Sequence, residues 1–410
     1  MINLPHEKCY GCQGCLNICH KNAISMKEDE YGYMYPNVDY SRCVKCGLCI
    51  KVCPELNDYA LNIPINVYAV AAKDKQIVKT TASGGFSTVL ADNILSHGGV
   101  VYGCCEESFD KIGHIRVDDK ADLYKIKNSK YVHSDTRLTF REAKEDLDKD
   151  KLVLFTGTPC QISGLLCFLR RPYDNLITMD LVCHGVPPMK MLVEQVLSYR
   201  EVKNIPARDI FVDFRWKESV RKGEAERVHY GLRTAVRTGN EIKVVRTEND
   251  VVNPYMRCFQ TGVSLRENCL RCPYARKERV SDLTAADFWG LGHDIESNMF
   301  DFNGVSLILV NSIKGSDYFN EIKDSFDVQE RTFEEAKLHN RCLSQPFERL
   351  TCRDKFLKIS KEKGLITAAK ETDSIHRFES NVIVKSLRRH RIGNFGVRCL
   401  SKGLRLLHIL

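Results

Sequence analysis

The sequence predicts a mixed α/β chain: a small N-terminal domain held by ligand cysteines, followed by a larger α/β body. Three observations predict it. Eight of the 19 cysteines fall in the first 60 of 410 residues, in two runs of identical spacing. From Val67 onward, short apolar runs alternate with longer stretches of helical periodicity. The composition, 43% hydrophobic and 28% charged, supplies cores for two or three domains and excludes a disordered or collagen-like chain.

The elements follow in order. Residues 1–60 hold few long apolar stretches, and the turn-rich string DEYGYMYPNVD separates their cysteine runs. Residues 61–150 open with a strand, VYAVAA (67–72), a helix, FSTVLADNILSH (86–97), and a strand, VVYGCC (100–105), with Gly98-Gly99 as the helix stop. A charged helix spans 136–150. Residues 151–345 repeat the alternation: strand LVLFT (152–156), helix QISGLLCFLRR, strand ITMDLVC (177–183), and a helix after Pro187-Pro188, prolines that suit a first turn. The strand candidates IFVDFRW (210–216) and VHYGLRTAV (228–236) follow, then a cysteine loop, the strand DLTAADFWG (282–290) and a strand–helix unit from Val305 to Phe326. Residues 346–410 form a basic helical extension.

Charge and cysteine usage narrow the function classes. Of the formal +8, seven charges lie between Ser380 and Leu410, where no acidic residue stands, so the body is nearly neutral and no nucleic-acid partner is expected. The start MINLPHEKCYGC lacks the pattern of a secretory signal, and no apolar run approaches the roughly 18 residues that cross a bilayer. A cytoplasmic protein is expected, whose thiols act as metal ligands or redox groups.

Cys9-x2-Cys12-x2-Cys15-x3-Cys19 recurs as Cys43-x2-Cys46-x2-Cys49-x3-Cys53. Three thiolates from one tight loop and a fourth from elsewhere suit a cubane [4Fe-4S] cluster, and the fourth cysteine of each run ligates the other cluster. One cluster is therefore assigned to Cys9, Cys12, Cys15 and Cys53, and a second to Cys43, Cys46, Cys49 and Cys19. Zinc, the alternative, uses C-x2-C pairs rather than triplets. His20 stands where Pro54 follows the second run. This is a two-cluster, ferredoxin-like pattern.

The body carries SGGFS (83–87), SKYVHS (129–134), GTPCQ (157–161), LVCHGVP (181–187) and RENCLRCPYARKERVSDLTAADFWG (266–290). Together these resemble the coenzyme F420 hydrogenase/dehydrogenase beta-subunit family, fused to a two-cluster ferredoxin domain, over roughly residues 1–345. Cys160 and Cys183 each follow a predicted strand and precede a helix, so a parallel sheet puts both at strand carboxyl ends. With Cys269-x2-Cys272 they supply four thiolates for a third cluster. Buried unreactive cysteines are the other reading, which fits Cys167 and also Cys104, Cys105, Cys258, Cys342, Cys352 and Cys399.

The resemblance implies FAD near that cluster, with Ser83, Gly84, Gly85, Ser129, Lys130, Thr158 and Gln161 as cofactor contacts. No G-x-G-x-x-G or P-loop pattern occurs, so an ordinary Rossmann or P-loop site is disfavoured. Ser83-Gly84-Gly85 offers backbone N–H groups to a phosphate or is a simple turn. His184 is a proton shuttle or a structural histidine, and Asp287 a site carboxylate or a turn former. In the tail, Val397, Leu400, Leu404 and Leu407 make one stripe flanked by Arg398, Lys402 and Arg405, which lies on an anionic membrane or docks on the body.

Three functions follow. The first is an iron–sulfur flavoprotein oxidoreductase moving electrons between a ferredoxin-like partner and FAD acting on a small organic substrate. The resemblance adds F420, or a polysaccharide-biosynthesis context, as settings. The second is a non-catalytic electron-transfer subunit of a larger complex. The third is a membrane-associated protein built around the tail.

Overall fold

The computed structural model describes residues 2–222, 225–239, 241–249, 252–299 and 304–372. The basic tail stripe and Cys399 lie outside the described residues. No helix among the described residues is long and apolar enough to cross a membrane.

In the N-terminal part, β1 (Ile24–Glu28) and β2 (Met34–Val38) pair antiparallel. The string read as turns alone thus contains a strand. Asp29 closes the reversal by accepting from the N–H groups of Tyr31 and Tyr33, both at 2.9 Å. Tyr33 and Tyr35, two residues apart, are both buried. Tyr35 turns its ring inward from β2, and Tyr33 does so just before the strand begins.

The body is built on an eight-stranded mixed sheet. Its strands are β3 (Asn66–Ala72), β4 (Val100–Ser108), β5 (Lys111–Val117), β6 (Val153–Thr156), β7 (Leu176–Leu181), β11 (Leu283–Asp287), β12 (Ser306–Val310) and β13 (Phe326–Arg331), in the order β13-β3-β12-β11-β7-β6-β4-β5. Strands β4, β6, β7 and β11 run parallel, and β11 meets β12 antiparallel. A separate antiparallel sheet holds β8 (Ile210–Lys222), β9 (Ala225–Thr238) and β10 (Glu241–Asn249).

Both faces of the large sheet are covered, which is why its central strands read as continuous apolar runs. Val101 of β4 and Leu154 of β6 enter one core with Phe86, Leu90 and Ile94 of the helix Phe86–Ser96. Their neighbours Tyr102, Val153 and Phe155 enter another with Phe140, Ile162 and Leu165, on the helices Thr139–Leu147 and Pro159–Leu169.

The N-terminal domain is seated on this second layer through close backbone approach and arginine contacts. Gly164 lies inside the helix Pro159–Leu169, where a Cβ would stand 2.8 Å from the Cys12 Sγ. Only glycine lets the cysteine loop come so near. Arg141 donates to the Asn17 and Cys19 carbonyls at 2.5 and 2.8 Å, serving groups at the end of the short helix Gly14–Ile18. On the far side, Arg266 donates through Nε to the Cys9 carbonyl (2.8 Å) and through Nη1 to that of Met34 (2.9 Å).

Candidate functional site

Four parallel strands end on one edge, and the candidate residues gather there. Cys160 sits in the first turn of the helix that follows β6, and Cys183 lies two residues beyond β7, the strand paired parallel to β6. Cys269 and Cys272 belong to a turn stapled to the same edge. Asp180 of β7 and Arg279 form a buried ion pair at 3.0 Å, and Arg279 also donates to the carbonyls of Tyr274 (3.1 Å) and Leu181 (3.0 Å). The buried guanidinium thereby ties the C-x2-C loop to the strand end that carries Cys183.

Burial is the largest influence on all four thiols: it raises Cys160 to about 11 and pushes Cys183, Cys269 and Cys272 above the ordinary thiol range. The next influence on Cys183 is repulsion from Cys269, then from Cys160; Cys272 is raised by the same two. Thiols that repel one another in a desolvated place suit thiolate binding to iron, which neutralises them. Among the described residues no three His, Cys, Asp or Glu side chains close on a single metal ion. Cys342, read from sequence as inert, also adds to the repulsion on Cys272.

The N-terminal thiols fall into two groups. Cys12 is pushed up by burial and by Cys15, Cys53 and, from the body, Cys160. Cys15 in turn feels Cys9, Cys53 and then Cys49, while Cys53 feels Cys9. Cys19, Cys43, Cys46 and Cys49 line one small cavity of their own.

Above the strand edge lies a cleft of about 400 Å³, within the range of small-molecule sites. Ser83, Gly85, Ser129 and Lys130 line it from one side, and Thr158, Gln161, Cys183, His184 and Asp287 from others. Gly84 is not among its walls. A Cβ there would meet the Val70 carbonyl at 2.3 Å, so this glycine serves close packing on β3.

Several of these side chains already have partners. The Lys130 ammonium donates to the carbonyls of Cys104 (2.9 Å), Lys127 (2.5 Å) and Asn128 (3.2 Å), so it offers the cleft charge rather than a free N–H. Thr158 and Gln161 form a capping box. Gln161 reaches on to Ser134 Oγ (3.0 Å), Ser134 meets His114 Nδ1 (3.3 Å), and His114 Nε2 lies 2.9 Å from the Thr156 carbonyl. At the other end, Thr158 Oγ1 is 3.2 Å from Cys160 Sγ. A polar chain thus runs under the cleft to a thiol. Burial depresses His114 to about 4, holding it neutral.

Asp287 is an ion-pair partner rather than a lone carboxylate: Arg215 Nη1 lies 2.9 Å from it, and Arg215 also donates to the Ala82 carbonyl at 3.0 Å. His184 packs beside the rings of Phe259 and Phe347, with centroids 6.2 and 5.6 Å away, and burial lowers its basicity. Ser83 Oγ is buried with no hydrogen-bond partner, next to the N-terminus of the helix Phe86–Ser96.

Sequence reasoning missed His114, Ser134, Arg215 and Arg266. Ser134 ends SKYVHS and Arg266 opens the C-x2-C motif, so both had a signal. His114 and Arg215 lie on strands whose spacing carries none.

Comparison with known proteins bears on the same segments. Residues 150–336 match the family model for the C terminus of the coenzyme F420 hydrogenase/dehydrogenase beta subunit, and residues 8–56 match that of the 4Fe-4S dicluster domain. A coenzyme F420-dependent sulfite reductase of Methanocaldococcus jannaschii is 24% identical over 197 residues, 46% of this chain and 30% of that protein. The chain therefore spans less than a third of that relative's length. An uncharacterised ferredoxin of the same organism is 36% identical over 53 residues, 13% of this chain and 68% of its own length. A chain of the F420-reducing [NiFe] hydrogenase complex of Methanosarcina barkeri aligns with a TM-score of 0.39 and 15% identity, covering 77% of this chain and 93% of that one. The chain thus joins a 4Fe-4S dicluster domain at residues 8–56 to a domain that matches the C terminus of the coenzyme F420 hydrogenase/dehydrogenase beta subunit at residues 150–336, an iron–sulfur protein of oxidoreductase kinship.

Proposed function

We propose that this chain is an iron–sulfur flavoprotein that moves electrons between a ferredoxin-like protein and a small organic acceptor or an F420-like cofactor. One observation carries the reading: an unbroken succession of neighbouring thiols. Cys49 and Cys15 pack in one apolar cluster, Cys12, Cys160 and Cys272 in a second, and Cys183 follows the strand paired parallel to the one before Cys160, in the wall of the cleft. In this reading Cys43, Cys46, Cys49 and Cys19 hold one [4Fe-4S] cluster. Cys9, Cys12, Cys15 and Cys53 hold the next, and Cys160, Cys183, Cys269 and Cys272 a third.

The residues of the cleft fit FAD. Unpartnered Ser83 Oγ and the first N–H groups of the helix Phe86–Ser96 suit a phosphate, with Lys130 adding positive charge from Ser129's side of the cleft. When bound, a flavin exchanges single electrons for a two-electron hydride. Thr158 and Gln161 hold the loop before Cys160 rigid, and the Arg215–Asp287 pair fixes the opposite wall. His184, in the cleft wall beside the rings of Phe259 and Phe347, would take or give a proton at its imidazole nitrogen.

A second reading is an electron-transfer subunit without its own substrate, favoured by a 4Fe-4S dicluster domain joined to a domain of the beta-subunit type. Anaerobic reconstitution with iron, sulfide and FAD separates the two. The first reading expects about twelve irons and one flavin per chain, and about eight irons in Cys183→Ala. No retained flavin would leave the second reading. Iron unchanged in Cys183→Ala would remove the third cluster.

A further inference from the structure

The two cysteine loops face different surroundings, and the open one has the make-up of a docking surface. Cys46 is exposed, while Cys9 and Cys12 are buried. Around Cys46 stand apolar side chains that a lone domain leaves uncovered: Tyr40 is 70% exposed, Val44 56% and Ile50 39%. Four exposed cations, Lys21, Arg42, Lys45 and Lys51, share this end of the molecule. None of the four makes an ion pair among the described residues. Asp39, the nearby carboxylate, accepts from Ser41 at 2.9 and 2.7 Å and offsets only part of the Arg42 charge beside it, leaving Lys21, Lys45 and Lys51 without an acidic partner among the described residues. An apolar centre with a rim of net positive charge is the anatomy of a transient, electrostatically steered interface.

Resting on the electron route proposed above, we infer that the surface around Tyr40, Val44, Cys46 and Ile50 is where a small acidic one-electron carrier protein docks. The negative face of such a carrier meets Lys21, Arg42, Lys45 and Lys51, and its apolar centre covers Val44 and Ile50. The electron then enters at the cluster assigned to the exposed loop and leaves for the buried one. Because each transfer is a single electron between metal centres, the step needs neither proton nor leaving group.

The test compares three forms of the full chain carrying its clusters: wild type, the face variant Arg42→Glu/Lys51→Glu, and a distant variant of equal charge change, Lys149→Glu/Lys358→Glu. Each is reduced anaerobically in two ways, by a negatively charged two-[4Fe-4S] ferredoxin and by a small photochemical reductant. The expected result is a loss of about tenfold or more in the ferredoxin rate constant at low salt for the face variant alone, with a flattened salt dependence. Photochemical reduction stays equal in all three. Equal ferredoxin rates in the face and distant variants, or a wild type that is photoreduced but never reduced by ferredoxin, overturns the docking surface. A parallel slowing of photoreduction in the face variant also overturns it, since the cations then tune the cluster rather than the encounter. Failure of the underlying electron route shows separately, as wild-type protein whose iron is not photoreduced at all.

Discussion

The two cysteine runs share one spacing and one backbone course, yet they meet opposite surroundings. Each loop turns through the left-handed region at the same two places: Gly11 (φ 71°) and Gln13 (φ 64°) in the first, Lys45 (φ 55°) and Gly47 (φ 77°) in the second. The glycine has changed places. At Gly11 a Cβ would lie 2.8 Å from the His133 ring, because that loop is pressed against the body. Its other turn residue, Gln13, is 2% exposed and accepts from the Arg137 N–H and the Thr136 hydroxyl at 3.1 and 3.2 Å. Lys45 faces water, where a long charged side chain is welcome, and nothing lies within 4 Å of a Cβ at Gly47. The spacing decides how a loop presents its thiols. What packs on the loop decides whether its thiols are covered or left open to solvent.

The contrast breaks most severely at Arg266. This guanidinium is 1% exposed and has no ion-pair partner among the described residues; its bonds to the Cys9 and Met34 carbonyls lock the first loop to the body. Arg266→Met should leave two buried carbonyls unpaired and cost about 4 kcal/mol. It should also lower the midpoint potential of the cluster assigned to Cys9, since a nearby positive charge favours the reduced form. Anaerobic denaturant unfolding and EPR-monitored redox titration measure the two effects. An unchanged unfolding midpoint would show that the seat does not depend on this residue.

A second prediction asks whether the closed side also carries the pH dependence. Glu106 of β4 is half-buried against β8, where its Oε1 accepts from the Val212 N–H at 2.5 Å; desolvation raises its pKa from 4.5 to about 7. A raised acid favours the fold below its unfolded pKa, and that contribution is lost as pH rises through the folded value. Glu106→Gln keeps the acceptor and removes the charge. It should stabilise the protein by up to about 3 kcal/mol at pH 8, at ~1.4 kcal/mol per pKa unit, and progressively less towards pH 4.5. Unfolding midpoints at several pH values test this, and a constant difference between the two proteins would be the wrong answer.

The mildest effects sharpen the comparison at the glycines themselves. Gly11→Ala adds a clash with His133 to the left-handed strain and should cost about 2–3 kcal/mol. Gly47→Ala meets strain alone and should cost about 1 kcal/mol. Equal losses in iron retention and unfolding midpoint would mean that the two loops are seated alike.

Not every strand was legible in the sequence. The central strands β3, β4, β6, β7, β11 and β12 were, because burial on both faces writes an apolar run into each of them. The unread ones, β1, β2, β5, β10 and β13, are all sheet edges. An edge strand needs neither a full apolar set nor two covered faces, so KIGHIRV and FDVQER carry little signal. The site shows the same division. Ser83, Ser129, Lys130, Thr158, Gln161, His184 and Asp287 were singled out by motif, and all line one cleft. Gly84 shared the motif but is spent on packing against β3. His114 and Arg215 carried no local mark, since their partners lie 42 and 72 residues away in sequence.

The sequence by itself determined the two cysteine triplets, the alternation that makes the parallel core, and the motifs that resemble a coenzyme F420 hydrogenase/dehydrogenase beta subunit. Those are local facts: a metal cluster demands a set ligand spacing, and a strand or helix demands a set apolar period. Only the tertiary structure decided which loop is covered and which is open, that Cys12 comes within reach of Cys160, and that Asp287 is matched by Arg215. Such pairings join segments that no period or spacing links. They depend on a glycine at 164 that lets a helix approach a thiol, and on arginines whose partners are backbone carbonyls, a group every residue carries and no sequence distinguishes.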